Sequence, residues 1–326
     1  MCQPDVTAGR VIGCKPFNPF RDDKIDGAKI MLFGTAGGNF KMEKVGDPYC
    51  PIEDNAKNGD IFRFIAHTAN QNGVGRMFFP RPEKFNAIIA SPDHKEWREI
   101  AVENGGVTIL RGPFCDGAII EQGEGVCLTS GGCPTVFFYD SETKMGIVTH
   151  AGRDCLFDRS VAINGKATQG RLDSVIMAGV SLLCEKMMRW YGEGPSIPKI
   201  KVFITCGIAG THFIHSLDDP THGHGNKQVK DHLHKKWLGD YVRTEGDDSY
   251  WVGNELWLSR LITLQCVRLG ILPENIVCDG IDTYASGDYQ TDKLMWHDNA
   301  RDTKSQKLAG VHPIVTPRNL VMVCIP

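Results

Sequence analysis

The chain reads as an α+β protein, and two observations are consistent with that reading. Short β-rich runs crowd the stretch from Val107 to Thr149, broken by Gly and Pro, and two amphipathic helical patterns lie further on. The chain shows no internal repeat and no low-complexity stretch. Its 326 residues allow two domains or one large one.

Taken in order, residues 1–28 are polar and rich in Pro and Gly, an irregular lead-in. Lys29–Phe33 is apolar and ends at Gly34, a strand followed by a turn at Gly37-Gly38. Residues 41–60 are polar and loop-like. Ile61–Ile65, Met77–Phe79 and Phe85–Ala90 are short apolar runs and read as strands. Val107–Leu110, Asp116–Ile120, Val126–Leu128, Thr135–Tyr139 and Met145–Thr149 continue the pattern with short connections. Leu172, Val175, Ile176, Gly179, Leu182, Leu183, Met187 and Trp190 then recur at helical spacing, with Gly192 as the stop. Leu256, Leu258, Leu261, Ile262, Leu264 and Leu269 form a second apolar face, capped by Gly270 and followed by Pro273. Lys199–Thr205, Asn275–Cys278 and Leu320–Ile325 complete the strands. Residues 211–250 are polar and His-rich and read as an inserted lobe or loop.

Composition removes several function classes. Lys plus Arg is 36 and Asp plus Glu is 39, a net charge of −3, which argues against a nucleic-acid partner. Apolar residues are 41% and charged residues 23%, which excludes wholesale disorder. No apolar run approaches the roughly 18 residues of a membrane helix, so no membrane partner is expected. Met1 to Phe17 contains no apolar stretch of a secretory signal, so the expected location is cytoplasmic. The 12 cysteines are scattered and form no CxxC, so reduced thiols are expected, most of them small buried hydrophobes.

Two constellations stand out. His212, His215, His222, His224, His232 and His234 crowd one segment, but without a catalytic zinc pattern; a solvated His-rich loop is the expectation. Cys133, in Ser130-Gly-Gly-Cys-Pro134, opens one strand, and His150 ends the next. A hairpin turn near Asp140–Lys144 would set the two side by side. That placement suits a Cys–His nucleophilic pair or two ligands of one zinc. On residue types alone, a buried cysteine beside a structural histidine fits equally well.

A resemblance sharpens these alternatives. Asp116-Gly-Ala-Ile-Ile, Gly125-Val-Cys-Leu-Thr-Ser-Gly-Gly-Cys133-Pro-Thr-Val and Gly146-Ile-Val-Thr-His150-Ala-Gly152 resemble, in order and spacing, the motifs of the YfiH family. This is the laccase-domain or polyphenol oxidase-like family, whose members are purine nucleoside phosphorylases. Ile200-Lys-Val-Phe-Ile-Thr-Cys-Gly-Ile-Ala-Gly210, Asn275-Ile-Val-Cys-Asp-Gly-Ile-Asp-Thr-Tyr284, Arg318-Asn-Leu-Val-Met-Val-Cys-Ile325 and Phe33-Gly-Thr-Ala-Gly-Gly38 extend the likeness over residues 29–325. It implies one large domain over 29–326 with insertions, built on a mixed β-sheet core with packed helices.

The resemblance also implies zinc held by His94, Cys133 and His150, with His67 as the rival first ligand. It implies phosphorolysis of adenosine, inosine or methylthioadenosine, with adenosine deamination in the same site. The partners would be a purine nucleoside and phosphate, in a monomer or small homo-oligomer. Cys133, His150 and Arg153 would be catalytic, and Asp116 and Arg318 would bind substrate. This chain departs from the pattern in four places. Gly132 replaces the Asp before the Cys, and Arg153-Asp154 replaces Trp-Arg. Asp282 replaces a Cys, and Ala36 a His. Asp154 would compete for Arg153. Two other readings stay open: a Cys–His hydrolase or deamidase using Cys133 and His150, since the fold is shared with a bacterial toxin deamidase, and a non-catalytic relative. Copper oxidase chemistry needs several His clusters, and the 212–234 segment is a poor substitute.

Overall fold

Alternation along the strands dictates how the layers stack. In Thr135–Tyr139 the side chains of Phe137 and Tyr139 face one way, and those of Val136 and Phe138 the other. All four are buried, so both faces of this sheet must be covered. The computed structural model describes residues 27–35, 39–41, 56–82, 86–100, 106–191, 197–205, 207–239, 250–285, 296–310 and 316–326. Its strands, in chain order, are β1 Lys29–Phe33, β2 Arg76–Phe79, β3 Ile89–Ala90, β4 Arg98–Ile100, β5 Thr108–Arg111, β6 Gly117–Ile120, β7 Glu124–Ser130, β8 Thr135–Asp140, β9 Met145–His150, β10 Lys201–Thr205, β11 Trp251–Val252, β12 Glu255–Leu256, β13 Ile276–Cys278 and β14 Asn319–Ile325. Its helices are α1 Ala56–Gln71, α2 Arg153–Leu156, α3 Arg159–Asn164, α4 Val175–Tyr191, α5 Gly223–Trp237, α6 Leu258–Arg268 and α7 Asn299–Leu308.

Two mixed six-stranded sheets result, with strand orders β1-β14-β7-β2-β5-β4 and β13-β10-β8-β9-β6-β3. They pack face to face through Leu32, Phe78, Val126 and Val323 of the first and Phe137, Tyr139, Val148 and Phe203 of the second. α1 covers the outer face of the first sheet with Ile61, Phe62 and Ile65, against Met77, Cys127 and Met322. α4, α5 and α6 cover the outer face of the second, against Val136, Phe138, Ile147 and Val202. The architecture is therefore α+β in four layers, helix on sheet on sheet on helix.

Two readings of the sequence change, and the expected mixed core with packed helices is found as two sheets. Ile61–Ile65 belongs to α1 and is not a strand. Ile61, Phe62, Ile65, Ala66 and Ala69 are buried at helical spacing, and a short apolar run alone does not separate helix from strand. The 211–250 segment is not simply a loop, since it contains α5, a helix of 15 residues with Val229, Leu233 and Trp237 buried along one stripe. The mixed core is two sheets, because the inner faces of both are apolar. The lead-in up to residue 26, the Gly37-Gly38 turn, most of the 41–60 stretch, Phe85 and the Gly192 stop lie outside the described residues. Among the described residues no helix is long and apolar enough to cross a membrane.

Candidate active site

The hairpin β8–β9 sets the site. Thr135 pairs with His150, so the residue two before Thr135 and the residue ending β9 meet at one end of the sheet. β6 lies on the other side of β9, and His150 N–H donates to Asp116 O at 2.7 Å. Cys133, His150 and Asp116 thus come from three adjacent chain segments at one sheet end. Gly152 admits them: a Cβ there would lie 2.9 Å from His150 Cε1 and 3.0 Å from Cys133 Sγ.

The two ring nitrogens of His150 face different partners. Nδ1 lies 3.4 Å from Asp116 Oδ1 and 3.4 Å from Cys155 Sγ. Nε2 is on the side of Gly152, where the Cys133 sulfur also lies, close enough to favour charge on the ring. Burial opposes charge on this imidazole. The Cys133 sulfur and the Asp116 carboxylate favour it, and the balance lies above the usual histidine range. Asp116 is fully buried. Its Oδ2 accepts from Ala87 N at 2.7 Å, and its Oδ1 accepts from the Cys155 thiol at 3.3 Å. Ala87 holds a left-handed backbone, φ 57°, to make that contact.

The three cysteines here differ in kind. Burial pushes the Cys155 thiol up to about 12, so it is a neutral donor to Asp116. Burial does the same to Cys115, whose thiol donates to Gly117 O. Cys133 is half-buried and accessible. Its turn needs Gly132, at φ 112°, where an added Cβ would lie 2.6 Å from Asp298 Oδ2. A carboxylate therefore stands beside the turn although position 132 lacks one. Asp298 caps α7 through Ala300 N and Arg301 N and accepts from Thr283 Oγ1 at 2.8 Å. The Arg318 guanidinium fills the space beside Gly131, within electrostatic reach of Cys133.

Other residues singled out in the sequence lie elsewhere. His94 belongs to no metal set with Cys133 and His150 among the described residues. β3 runs parallel to β6, with Ile89 beside Gly117 and Ala90 beside Ala118, so the chain leaves β3 away from the Asp116 end. His94 N–H then turns back onto Ser91 O at 3.1 Å, and its Nδ1 accepts from Glu96 N. His67 is exposed on α1, over the other sheet. Arg153 is held by Asp154 through two bonds, Nε to Oδ1 at 2.9 Å and Nη2 to Oδ2 at 3.1 Å, and lines a neighbouring cavity. Asp282 pairs with His212 at 2.9 Å and caps the turn at Ala209 N, while His212 stacks on Tyr284. Cys155 and Asp298 were missed in the sequence; the first sits in a one-turn helix with no periodicity, and the second lies 165 residues beyond Cys133.

Among the described residues, one set has three ligand atoms close enough for a metal ion: Asp116, His150 and Cys155. Their separations of 3.3 to 3.4 Å match the edges of a small coordination polyhedron. This set could hold a metal ion. It differs from the zinc set that the resemblance implies; His94, Cys133 and His150 form no such set among the described residues. No histidine of the 212–234 segment belongs to a metal set among the described residues.

No family model matches this sequence. No curated protein matches it either. Solved structures do match. The Bacillus licheniformis hypothetical protein YfiH is 13% identical with a TM-score of 0.53, covering 92% of each chain. YlmD from Geobacillus stearothermophilus is 16% identical with a TM-score of 0.56, covering 95% of this chain and 94% of that one. Neisseria meningitidis protein NMB0706, of the DUF152 type, is 11% identical with a TM-score of 0.52, covering 92% and 95%. Across almost its whole length, this chain has the fold of the YfiH, YlmD and DUF152 structures.

Proposed function

We propose that the chain is a thiol-dependent hydrolase or acyl-transfer enzyme, with Cys133 as nucleophile, His150 as general base and Asp116 as the carboxylate that orients the imidazole. One observation carries this reading: His150 has Asp116 on Nδ1 and Cys133 on the Nε2 side. That is the nucleophile, base and orienting-group order of a catalytic triad. Nδ1–H donates to Asp116, which leaves the Nε2 lone pair to take the thiol proton. The thiolate attacks an amide or ester carbonyl carbon, and negative charge moves to the oxygen. Arg318, beside Cys133, is placed to offset it. The amine or alcohol leaves with the proton from Nε2, and water then cleaves the thioester with His150 as base. Burial of Asp116 and His150 keeps water from competing for their hydrogen bonds.

A second reading, zinc-dependent phosphorolysis or deamination of a purine nucleoside, keeps support from the ligand-like spacing of Asp116, His150 and Cys155. Zinc bound there would supply Lewis-acid chemistry. The two readings need opposite tautomers of His150, because a metal on Nδ1 requires its lone pair while the triad requires Nδ1–H. Alkylation of Cys133 separates them. The hydrolase reading expects fast labelling that a chelator leaves unchanged, and slowing by tenfold or more in His150→Gln. Slow labelling that a chelator accelerates, with stoichiometric zinc in the untagged protein, supports the second reading. Release of adenine, inosine or hypoxanthine from adenosine would then name its reaction.

A further inference from the structure

We infer that His212, aligned by Asp282, is the specificity-determining contact beside Cys133: it selects amides over esters by accepting a hydrogen bond from the scissile nitrogen. This rests on the thiol-enzyme reading of Cys133.

The pair stands at the rim of the Cys133 turn, outside the Asp116, His150 and Cys155 group. Ile208 N–H donates to Gly132 O at 2.8 Å, and a Cβ on Gly207 would lie 3.0 Å from Pro134 Cγ. The segment leading to His212 is therefore pinned to the residues on both sides of Cys133. Thr283, between Asp282 and Tyr284, donates its N–H to Gly207 O at 3.1 Å. Its hydroxyl donates to Asp298 Oδ2 at 2.8 Å, the oxygen that lies against Gly132. Arg301 fixes the same stretch through Thr283 O and Tyr284 O, at 3.2 and 2.9 Å.

The ring is held on two sides. Nδ1 lies 2.9 Å from Asp282 Oδ2, and Asp282 Oδ1 accepts from Ala209 N and Tyr284 N, both at 3.1 Å. One face stacks on Tyr284, with centroids 4.3 Å apart and planes 11° from parallel. The His212 side chain is nevertheless 32% exposed, and a polar pair so open to water adds little to stability. The arrangement presents the ring rather than holding the fold. A carboxylate on Nδ1 requires Nδ1–H, which leaves Nε2 an acceptor. Nε2 takes no hydrogen bond among the described residues.

An amide meets that acceptor and an ester does not. The Cys133 sulfur adds to the carbonyl carbon, the C–N bond breaks, and the nitrogen leaves with the proton from His150 Nε2. As the nitrogen gains positive character, its own N–H donates more strongly to His212 Nε2, which neither gains nor loses a proton. Such a contact is stronger in the transition state than in the ground state. An ester oxygen has no hydrogen to give, and its lone pairs would face the lone pair of Nε2.

Hydrolysis of 4-nitroacetanilide and 4-nitrophenyl acetate by the full chain tests this, because the two probes differ only in the scissile N–H or O. The parent should cleave both and Cys133→Ala neither. His212→Phe keeps a ring on Tyr284 and loses the acceptor, so its anilide-to-ester ratio of kcat/KM should fall tenfold or more. Asp282→Asn, which frees the tautomer, should lower the ratio too, and His224→Ala, exposed on α5, should not. If His212→Phe fails to fold, as judged by circular dichroism, Asp282→Asn decides by the same ratio. An unchanged ratio, or a parent that cleaves the ester alone, overturns the inference and leaves Cys133 as nucleophile. Cleavage of neither probe by the parent, or cleavage that survives in Cys133→Ala, overturns the thiol-enzyme reading and the inference with it.

Discussion

Asp116 shows how one buried carboxylate serves both fold and site. It holds Ala87 N, the Cys155 thiol and the His150 ring at once. Asp116→Ala leaves those donors unpaired in a dry place, and stability should fall by about 2–4 kcal/mol. Asp116→Asn keeps the volume and part of the bonding, so its melting temperature should fall less while Cys133 labelling slows just as much. Urea unfolding of both variants checks the first half, and labelling rates the second. His215 yields a pH prediction. Burial, then the Arg153 charge, holds its folded-state value near 4, against an ordinary 6.5. As pH falls, the unfolded chain takes the proton first, so this ring's share of stability is complete above about 6.5 and lost between about 6.5 and 4. Melting temperature measured across that window should slope less in His215→Phe than in the parent protein.

At the scale of elements, the hairpin β8–β9 and the turn before it decide the geometry. Gly132→Ala forces an L side chain into φ 112° and against Asp298, so a loss of about 1–3 kcal/mol is expected, with slower Cys133 labelling. Within α5, Leu233→Ala should cost about 2–5 kcal/mol, since Leu233 is fully buried. Chemical unfolding measures both losses, and a near-zero value for Leu233 would mean that α5 does not pack as described. These elements also mark what the sequence makes legible. The β8–β9 hairpin could be read because apolar runs flank a polar turn, and that pairing alone brings Cys133 to His150. α5 was hidden because six histidines and lysines around it mask a stripe of Val229, Leu233 and Trp237. α1 was misread because five residues were weighed where the period shows only over ten or more. His94 rests on spacing along the chain, which says nothing of whether β3 runs with or against β6.

The whole molecule places its chemistry at the edge of a rigid core. Two sheets packed face to face and helices on both outer faces hold β6, β8 and β9 in fixed register. The side chains of Asp116, His150 and Cys133 are therefore preorganised, and only Cys133 is open to a reagent. The YfiH and YlmD structures share this fold at 13% and 16% identity, so the fold tolerates wide sequence change. The central claim is that His150 serves as base to Cys133, oriented by Asp116. Its most direct measurement is the rate of Cys133 alkylation by iodoacetamide in metal-free protein, compared among the parent, His150→Gln and Asp116→Asn. The account predicts fast labelling in the parent and a fall of tenfold or more in each folded variant. Equal rates in all three, or a parent rate no faster than that of a free thiol, would contradict it.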